Sequence, residues 1–244
     1  MSLHYKLGIS NREFLLRDIL LRDIMDVIYN FIMGEIFRRF VFWFLNHLYR
    51  SLAWAYDFIA NLVSLGQWYE WNYQISNFLD KQGDILEIGI GTGKLHRNLI
   101  CDGHKLYGCD LSYQMLRISS RNLKNYHANL FRANNLNLPF DKNSFDKIFA
   151  TFPSEYVFSK SFFDEIKRVL KQGGEVIILL SVVFGKRGFI NYFYQLIYKI
   201  SGQSSKKDIT EKIIQKYLAH ESNIKILWYP YKNVELCFLF LKNQ

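Results

Sequence analysis

The chain has 244 residues, half of them hydrophobic, which excludes wholesale disorder and leaves room for one domain with additions but not for two. Lys and Arg outnumber Asp and Glu by 31 to 22, and the formal charge of +9 admits nucleic acid or an anionic membrane as a partner. Cys101, Cys109 and Cys237 are odd in number and have no metal-ligand spacing, which points to a reduced, cytoplasmic setting and to no metal site.

In chain order, residues 1 to about 80 read as a helical extension. Leu15, Leu16, Ile19, Leu20, Ile24, Val27, Ile28, Phe31 and Ile32 recur at three- and four-residue steps, with charges on the remaining face. No apolar signal core follows Met1. The uncharged stretch from Phe40 to Tyr49 is well short of the roughly 20 residues that span a bilayer, so a transmembrane reading fails. Its aromatics, flanked by Arg38, Arg39 and Arg50, fit a helix lying in the headgroup region and equally a helix packed on the domain or on a second subunit. Both readings stay open.

From Gly83 onward strands and helices alternate as in βαβ units. Strands are expected at Ile85 to Gly89, Leu106 to Asp110, Ala128 to Arg132, Lys147 to Ala150 and Val176 to Ser181. Helices are expected from Lys94 to Cys101 and after Ser112, a good cap for a segment carrying Met115, Leu116 and Ile118. Gly173-Gly174 is read as the turn into the fifth strand. Ile224 to Trp228 and Val234 to Leu241 read as an antiparallel pair joined by Tyr229 to Asn233. A charged helix is expected around Ile209 to Leu218, at the end of a basic and aromatic insertion over residues 183–223.

The most informative stretch is Asp84-Ile-Leu-Glu-Ile-Gly-Ile-Gly-Thr-Gly-Lys-Leu-His96. Gly89, Gly91 and Gly93 turn a strand sharply into a helix and let the backbone approach a ligand. Asp110, at the tip of the next strand, is placed to take both hydroxyls of a ribose. The glycine spacing differs from the dinucleotide fingerprint, and Glu87 would repel a pyrophosphate. A carboxylate there suits a ligand with a positive end and no phosphate, which S-adenosylmethionine is. Glu87 reads as an anchor for that cofactor's amino group or as a buried acceptor within the loop.

These residues resemble the class I S-adenosylmethionine-dependent methyltransferases, and the resemblance continues in order. Glu87 to Gly93 is similar to the first family motif, and Asp110 to the ribose acid. Leu138 to Phe149 is similar to the run into the fourth strand, and Glu165 to Ile178 to the helix, turn and fifth strand. The resemblance implies an α/β fold, a Rossmann-like doubly wound seven-stranded sheet over residues 81–244, with residues 183–223 as a substrate lid and residues 1–80 as extension and cofactor cover. Upstream, Tyr56-Asp57, Ser64, Gly66 and Trp71 are similar to the ubiquinone/menaquinone-biosynthesis C-methyltransferases. That likeness implies a helix over the cofactor with Tyr56 near its methionine end. After the fourth strand that branch's Arg-Asn pair is replaced by Thr151-Phe-Pro-Ser-Glu-Tyr-Val157.

The cofactor-binding set implied is therefore Tyr56, Glu87, Gly89, Gly91, Gly93, Asp110, Leu111, Asn134, Asn135 and Thr151. Asn134 or Asn135 would accept from the adenine amino group, and Leu111 and Leu136 would flank the ring. Methyl transfer from a sulfonium draws on orientation of the two reactants. The polar groups just past the fourth strand, Glu155 and Tyr156, are the catalytic candidates, against a plain helix-capping role. His96, His104 and His127 show no ligand spacing and are assigned no chemistry. The expected function is transfer of a methyl group to a small lipophilic acceptor by C- or O-methylation, with a membrane surface, a second subunit or the domain itself as the open alternatives for what the N-terminal helices contact. The alternatives are a membrane-associated scaffold that keeps the fold without activity and an RNA methyltransferase. The latter is disfavoured because the aromatics sit in apolar helices rather than as stacking platforms.

Overall fold

A computed structural model describes residues 66–184, 207–219 and 223–243, together with Asn61, Ser64 and Glu221. The expected helices before residue 60, Tyr56, and residues 185–206 of the insertion lie outside the described residues. The described chain enters through Ser64, whose hydroxyl accepts the Trp68 N–H at 2.8 Å, and Gly66, at φ +82°. Helix α1 (Trp68–Tyr73) follows and runs into a 3-10 turn (Gln74–Phe78).

Seven strands form one sheet: β1 (Ile85–Ile88), β2 (Leu106–Asp110), β3 (Asn129–Arg132), β4 (Phe145–Thr151), β5 (Leu170–Phe184), β6 (Ile224–Tyr231) and β7 (Val234–Lys242). Their spatial order is β3-β2-β1-β4-β5-β7-β6. The first five run parallel, and β7 pairs antiparallel with both β5 and β6. Helices α2 (Lys94–Cys101), α3 (Tyr113–Asn122) and α4 (Lys160–Val169) connect the parallel strands, and α5 (Lys207–Tyr217) precedes the hairpin. The doubly wound sheet expected from the sequence is present.

Both faces of the sheet are covered, because alternate side chains of each parallel strand point to opposite sides and each side is apolar. Leu86, Ile88, Ile148, Ala150, Val176 and Ile178 pack with Phe162, Phe163 and Ile166 of α4 and with Ile214 of α5. Ile85, Phe149, Ile177, Leu179 and Phe238 pack on the other side with Trp71 and Ile75 at the entry and with Leu95 and Leu99 of α2. Strand β1 lies between β2 and β4, inside the sheet, with every residue buried.

Two local expectations change. Gly173-Gly174 does not precede the fifth strand but sits inside it: pairing with β4 jumps from Phe145↔Leu170 to Lys147↔Glu175, and Gly173, at φ +75°, marks the irregularity. The strand continues through it because the Gly173 N–H donates to the Asn243 carbonyl and the Asn243 N–H to the Gly174 carbonyl, both at 2.9 Å. The hairpin loop is also shorter than expected. Pairing continues to Tyr231↔Val234, so only Lys232 and Asn233 turn, with Lys232 at φ +51°. Pro230 is tolerated within β6 because that strand is the sheet edge and one side of it needs no ladder bond.

Candidate functional site

Strand order makes the site. The chain runs outward from β1 to β2 and β3, then returns to lay β4 on the other side of β1. A crevice therefore opens beyond the carboxyl ends of β1 and β4, where crossovers leave in opposite directions. The glycine loop, Asp110 and the Thr151–Phe158 segment all lie at this end.

Gly89, Gly91 and Gly93 have φ of 79°, 55° and 78°, a left-handed path that side chains resist. A Cβ on Gly93 would lie 3.0 Å from both Leu123 Cδ1 and Ser119 Cβ, whereas one on Gly91 would meet nothing within 4 Å. The loop is thus closed against α3 at its far end and open at its middle. Backbone bonds fix its start: the N–H groups of Gly89 and Ile90 donate to the Cys109 carbonyl at 2.8 and 3.0 Å. Asn122 donates to the Thr92 carbonyl at 2.8 Å and ties the loop to the end of α3.

Asp110 joins this loop to the tip of β2. Its Oδ2 accepts from the Gly91 N–H at 3.0 Å and its Oδ1 from the Ser112 N–H at 2.8 Å. Ser112 in turn caps α3, accepting from the Met115 N–H at 3.3 Å. Burial pushes the Asp110 carboxyl above its ordinary range, and the backbone donors of Ser112, Gly91 and Leu111 oppose that shift.

Glu87 lies one residue before the end of β1, level with Gly108 on β2 and Phe149 on β4. It is 2% exposed, and a 2.7 Å hydrogen bond joins its Oε2 to Nδ1 of His96, itself fully buried. Desolvation raises the Glu87 carboxyl, and the His96 bond counteracts it. The bond engages one carboxylate oxygen within the protein, on helix α2 rather than in the glycine loop. His96 was missed in the sequence because its only signal is indirect: it is the third residue of the helix that the glycine loop opens, on the side that turns back to β1.

On the far side of β2, the Ala133 N–H donates to the Asp110 carbonyl at 3.2 Å, bringing the segment after β3 beside the crevice. Asn134 is exposed, and its Oδ1 accepts from the Leu136 N–H at 3.0 Å, a side-chain turn within its own loop. Asn135 is half-buried, and Leu111 and Leu136 leave apolar side chains exposed, at 59% and 42%. Arg168 of α4 donates to the carbonyls of Phe140 and Leu138 at 2.8 and 3.0 Å and anchors this loop from beneath. The Leu138 N–H donates to Glu165.

Beyond β4, Thr151 pairs with Leu179. Phe152 has φ +45°, an uncommon conformation for an aromatic residue. It is held by its N–H donating to the Leu179 carbonyl at 2.7 Å and by Trp68 stacked on its ring at 4.5 Å. The Tyr156 hydroxyl lies 3.9 Å from where a Gly89 Cβ would stand, with the ring edge-on to Phe162. Burial holds the Tyr156 phenol well above its usual range, with Cys109 and Asp110 adding to the effect. Glu155 shares the 3-10 turn (Glu155–Phe158) with it. Among the described residues no group of three His, Cys, Asp or Glu side chains could hold a metal ion.

The fold is that of the class I methyltransferases, and residues 86–178 of the chain match the methyltransferase-domain family. The chain is similar to the demethylmenaquinone methyltransferase of Tropheryma whipplei, 29% identical over 155 residues, covering 62% of this chain and 64% of that protein. The chain thus aligns to under two thirds of that relative's length. The Chlorobaculum tepidum demethylmenaquinone methyltransferase is 28% identical over 204 residues, 75% of this chain and 81% of its own. In fold it resembles a crystal structure of a putative S-adenosyl-L-methionine-dependent methyltransferase from Methanococcus maripaludis. That likeness has a TM-score of 0.54 at 16% identity, over 80% of this chain and 91% of the other.

Proposed function

We propose that the chain transfers a methyl group from S-adenosylmethionine to a small lipophilic acceptor, by C- or O-methylation. The observation that carries the reading is Asp110: a buried carboxylate at the tip of β2, hydrogen-bonded to the middle of a glycine loop that has open space where a side chain would stand. In this reading Asp110 takes the ribose hydroxyls, the loop from Gly89 to Gly93 cradles the amino-acid end, and Glu87 compensates the ammonium. Leu111, Asn134, Asn135 and Leu136 surround the adenine, with Tyr56 and Thr151 toward the methionine end. Asn134 Oδ1, taken by the Leu136 N–H, has one lone pair left for that purpose, and Asn135 is the freer donor or acceptor. The cofactor supplies an electrophilic methyl group on a sulfonium, and the protein's contribution is orientation in a crevice shielded from water.

The lipophilic acceptor rests on two supports. Trp68 and Phe152 stack, half-buried, at the carboxyl end of β4, beside the same crevice. Relatives of this chain are demethylmenaquinone methyltransferases. Tyr156 acts here as a donor and not as a base, since its raised pKa keeps the phenol protonated at neutral pH. A hydroxyl beside Gly89 can hold an acceptor oxygen against the methyl group. Glu155, next to it, is the remaining candidate for removing a proton from the acceptor. Residues 81–244 form the catalytic domain in this reading, with residues 183–223 as lid and residues 1–80 as cover and membrane-facing extension, in a cytoplasmic protein. No described helix is long and apolar enough to cross a membrane.

Calorimetric titration with S-adenosylmethionine and S-adenosylhomocysteine, followed by a methyl-transfer screen over quinols, phenols and lipid head groups, tests the reading. Micromolar binding and turnover on a quinol or phenol support it. Tyr156→Phe then lowers kcat by about tenfold or more with cofactor affinity kept, the loss expected for one oriented donor. Absence of cofactor binding in well-folded protein sinks it, and turnover on RNA in place of small acceptors replaces the substrate class.

A further inference from the structure

No carboxylate side chain stands between Asp110 and Asp141, a stretch that holds Arg117, Arg121, Lys124 and Arg132. Among the other described residues, Lys and Arg equal Asp and Glu in number, so the excess positive charge is gathered on this one stretch. It also lies on one side of the molecule. In α3 the buried side chains are Met115 and Ser119, followed by Leu123 just past the helix end, each four residues beyond the last. A four-residue step stays on one face of a helix and a two-residue offset reverses it, so Tyr113, Arg117 and Arg121 stand on the opposite, outer face. All three are exposed, Tyr113 at 62%, and Lys124 is exposed beyond them. Arg132, on the edge strand β3, donates from Nε to the Leu111 carbonyl at 3.3 Å, which brings its guanidinium beside the start of α3.

This face works against its own helix. Arg117 and Arg121 are like charges four residues apart, an arrangement that opposes helix formation. The dipole at the helix end favours Arg121 but does nothing for Arg117 in mid-helix. Helix α4 shows the ordinary solution, pairing Lys160 with Asp164 and Arg168 with Glu165 along the helix. Helix α3 and the segments that flank it supply no carboxylate side chain for Arg117, Arg121 or Lys124 to meet. We propose that the outer face of α3, with Arg132 beside its start, is the surface by which the protein rests on an anionic membrane. The choice of lipid rests on the acceptor reading above, whereas the basic face stands without it.

Charge complementarity calls for an anionic partner, and a formal charge of +9 on the whole chain disfavours a second copy of it. Single-stranded nucleic acid is bound along a row of aromatic platforms, and this stripe carries only Tyr113. One exposed tyrosine at the head of a basic stripe suits the headgroup level of a bilayer, where an amphipathic ring has both its surroundings. Helix α3 starts at the carboxyl end of β2, so a membrane against this face lies alongside the crevice that would receive a lipophilic acceptor. Each Lys or Arg held close to an anionic surface strengthens binding by about fivefold. The attraction fades within roughly 10 Å at physiological salt, so cations count only on the side that faces the lipid. Four on one side give a contact that is firm at low salt and reversible, with no apolar insertion needed.

The test is co-sedimentation of the full chain with vesicles of phosphatidylcholine alone and of phosphatidylcholine with about a third phosphatidylglycerol. The native protein should bind the anionic vesicles at least about tenfold more tightly, and added salt should remove the preference. Arg117→Gln/Arg121→Gln/Lys124→Gln should weaken that binding on the order of a hundredfold, and Arg117→Gln alone about fivefold, with thermal unfolding unchanged. Arg117→Lys/Arg121→Lys keeps the charge and should bind as the native protein does. Lys81→Gln/Lys142→Gln/Lys225→Gln removes the same charge from exposed positions at the amino end of the sheet and should lose less than about fivefold. Equal losses in the two triple variants, native binding indifferent to lipid charge, or undiminished binding by the α3 variant overturns the proposal. So does salt-dependent binding of a single-stranded RNA that the α3 variant loses while vesicles go unbound. None of these measurements needs cofactor or turnover, so failure here and failure of the methyl-transfer reading are told apart.

Discussion

Asp110 spends both carboxylate oxygens on backbone donors, one in the glycine loop and one at the start of α3. Its folded pKa lies above the unfolded value, so it contributes stability below about pH 4, and that share is lost as pH rises through the folded value. At neutral pH the buried charge opposes folding. Asp110→Asn should abolish cofactor binding, while the native protein loses melting temperature relative to the variant as pH rises from about 4 to 7. Parallel pH profiles would show that Asp110 is not the buried carboxylate described. Gly93→Ala tests the loop's far end: its left-handed φ and the 3.0 Å approach to Leu123 and Ser119 should cost about 1–3 kcal/mol in chemical denaturation. A loss well below that range would mean that α3 gives way easily.

At the scale of elements, the segment between β3 and β4 has no regular structure of its own, and it is held from outside. Arg168 binds the carbonyls of Leu138 and Phe140, and Glu165 accepts the Leu138 N–H, so the C-terminal half of α4 fixes a loop beside the crevice. Arg168→Ala should cost about 1–2 kcal/mol and speed amide exchange over residues 134–144, with β1 and β4 still protected. Uniform exchange would mean that the loop needs no anchor. Such long-range ties were not legible in the sequence, where Arg168 reads only as a basic residue in the last turn of a helix. By contrast the Ser112 cap on α3 was legible, because capping acts within three residues. The hairpin loop was read too long for a related reason. Pro230 signals a break in an isolated strand, and only its position on the sheet edge lets pairing run past it.

Across the whole molecule the three cysteines report on packing. Cys109 lies in the central sheet and Cys237 in β7, both buried and with thiols pushed up to about 12, whereas Cys101 is exposed at the end of α2. In native protein one thiol should react promptly with a thiol reagent and two only as fast as the domain opens, because the thiolate is the reactive form. Three prompt thiols would contradict the buried sheet. The amino-acid sequence by itself determined the parallel sheet, the glycine loop and Asp110, because strand alternation, a left-handed turn and an acid at a strand tip are set by residues close together in the chain. Only the tertiary structure decided what those residues meet. Glu87 and His96 become partners because β1 lies beside β2, Gly108 leaves the gap and α2 folds back onto that face. Trp68 reaches Phe152 because the entry helix packs across the carboxyl end of β4. Such contacts join residues that chain distance leaves unrelated, and pairing energies, not propensities, choose them.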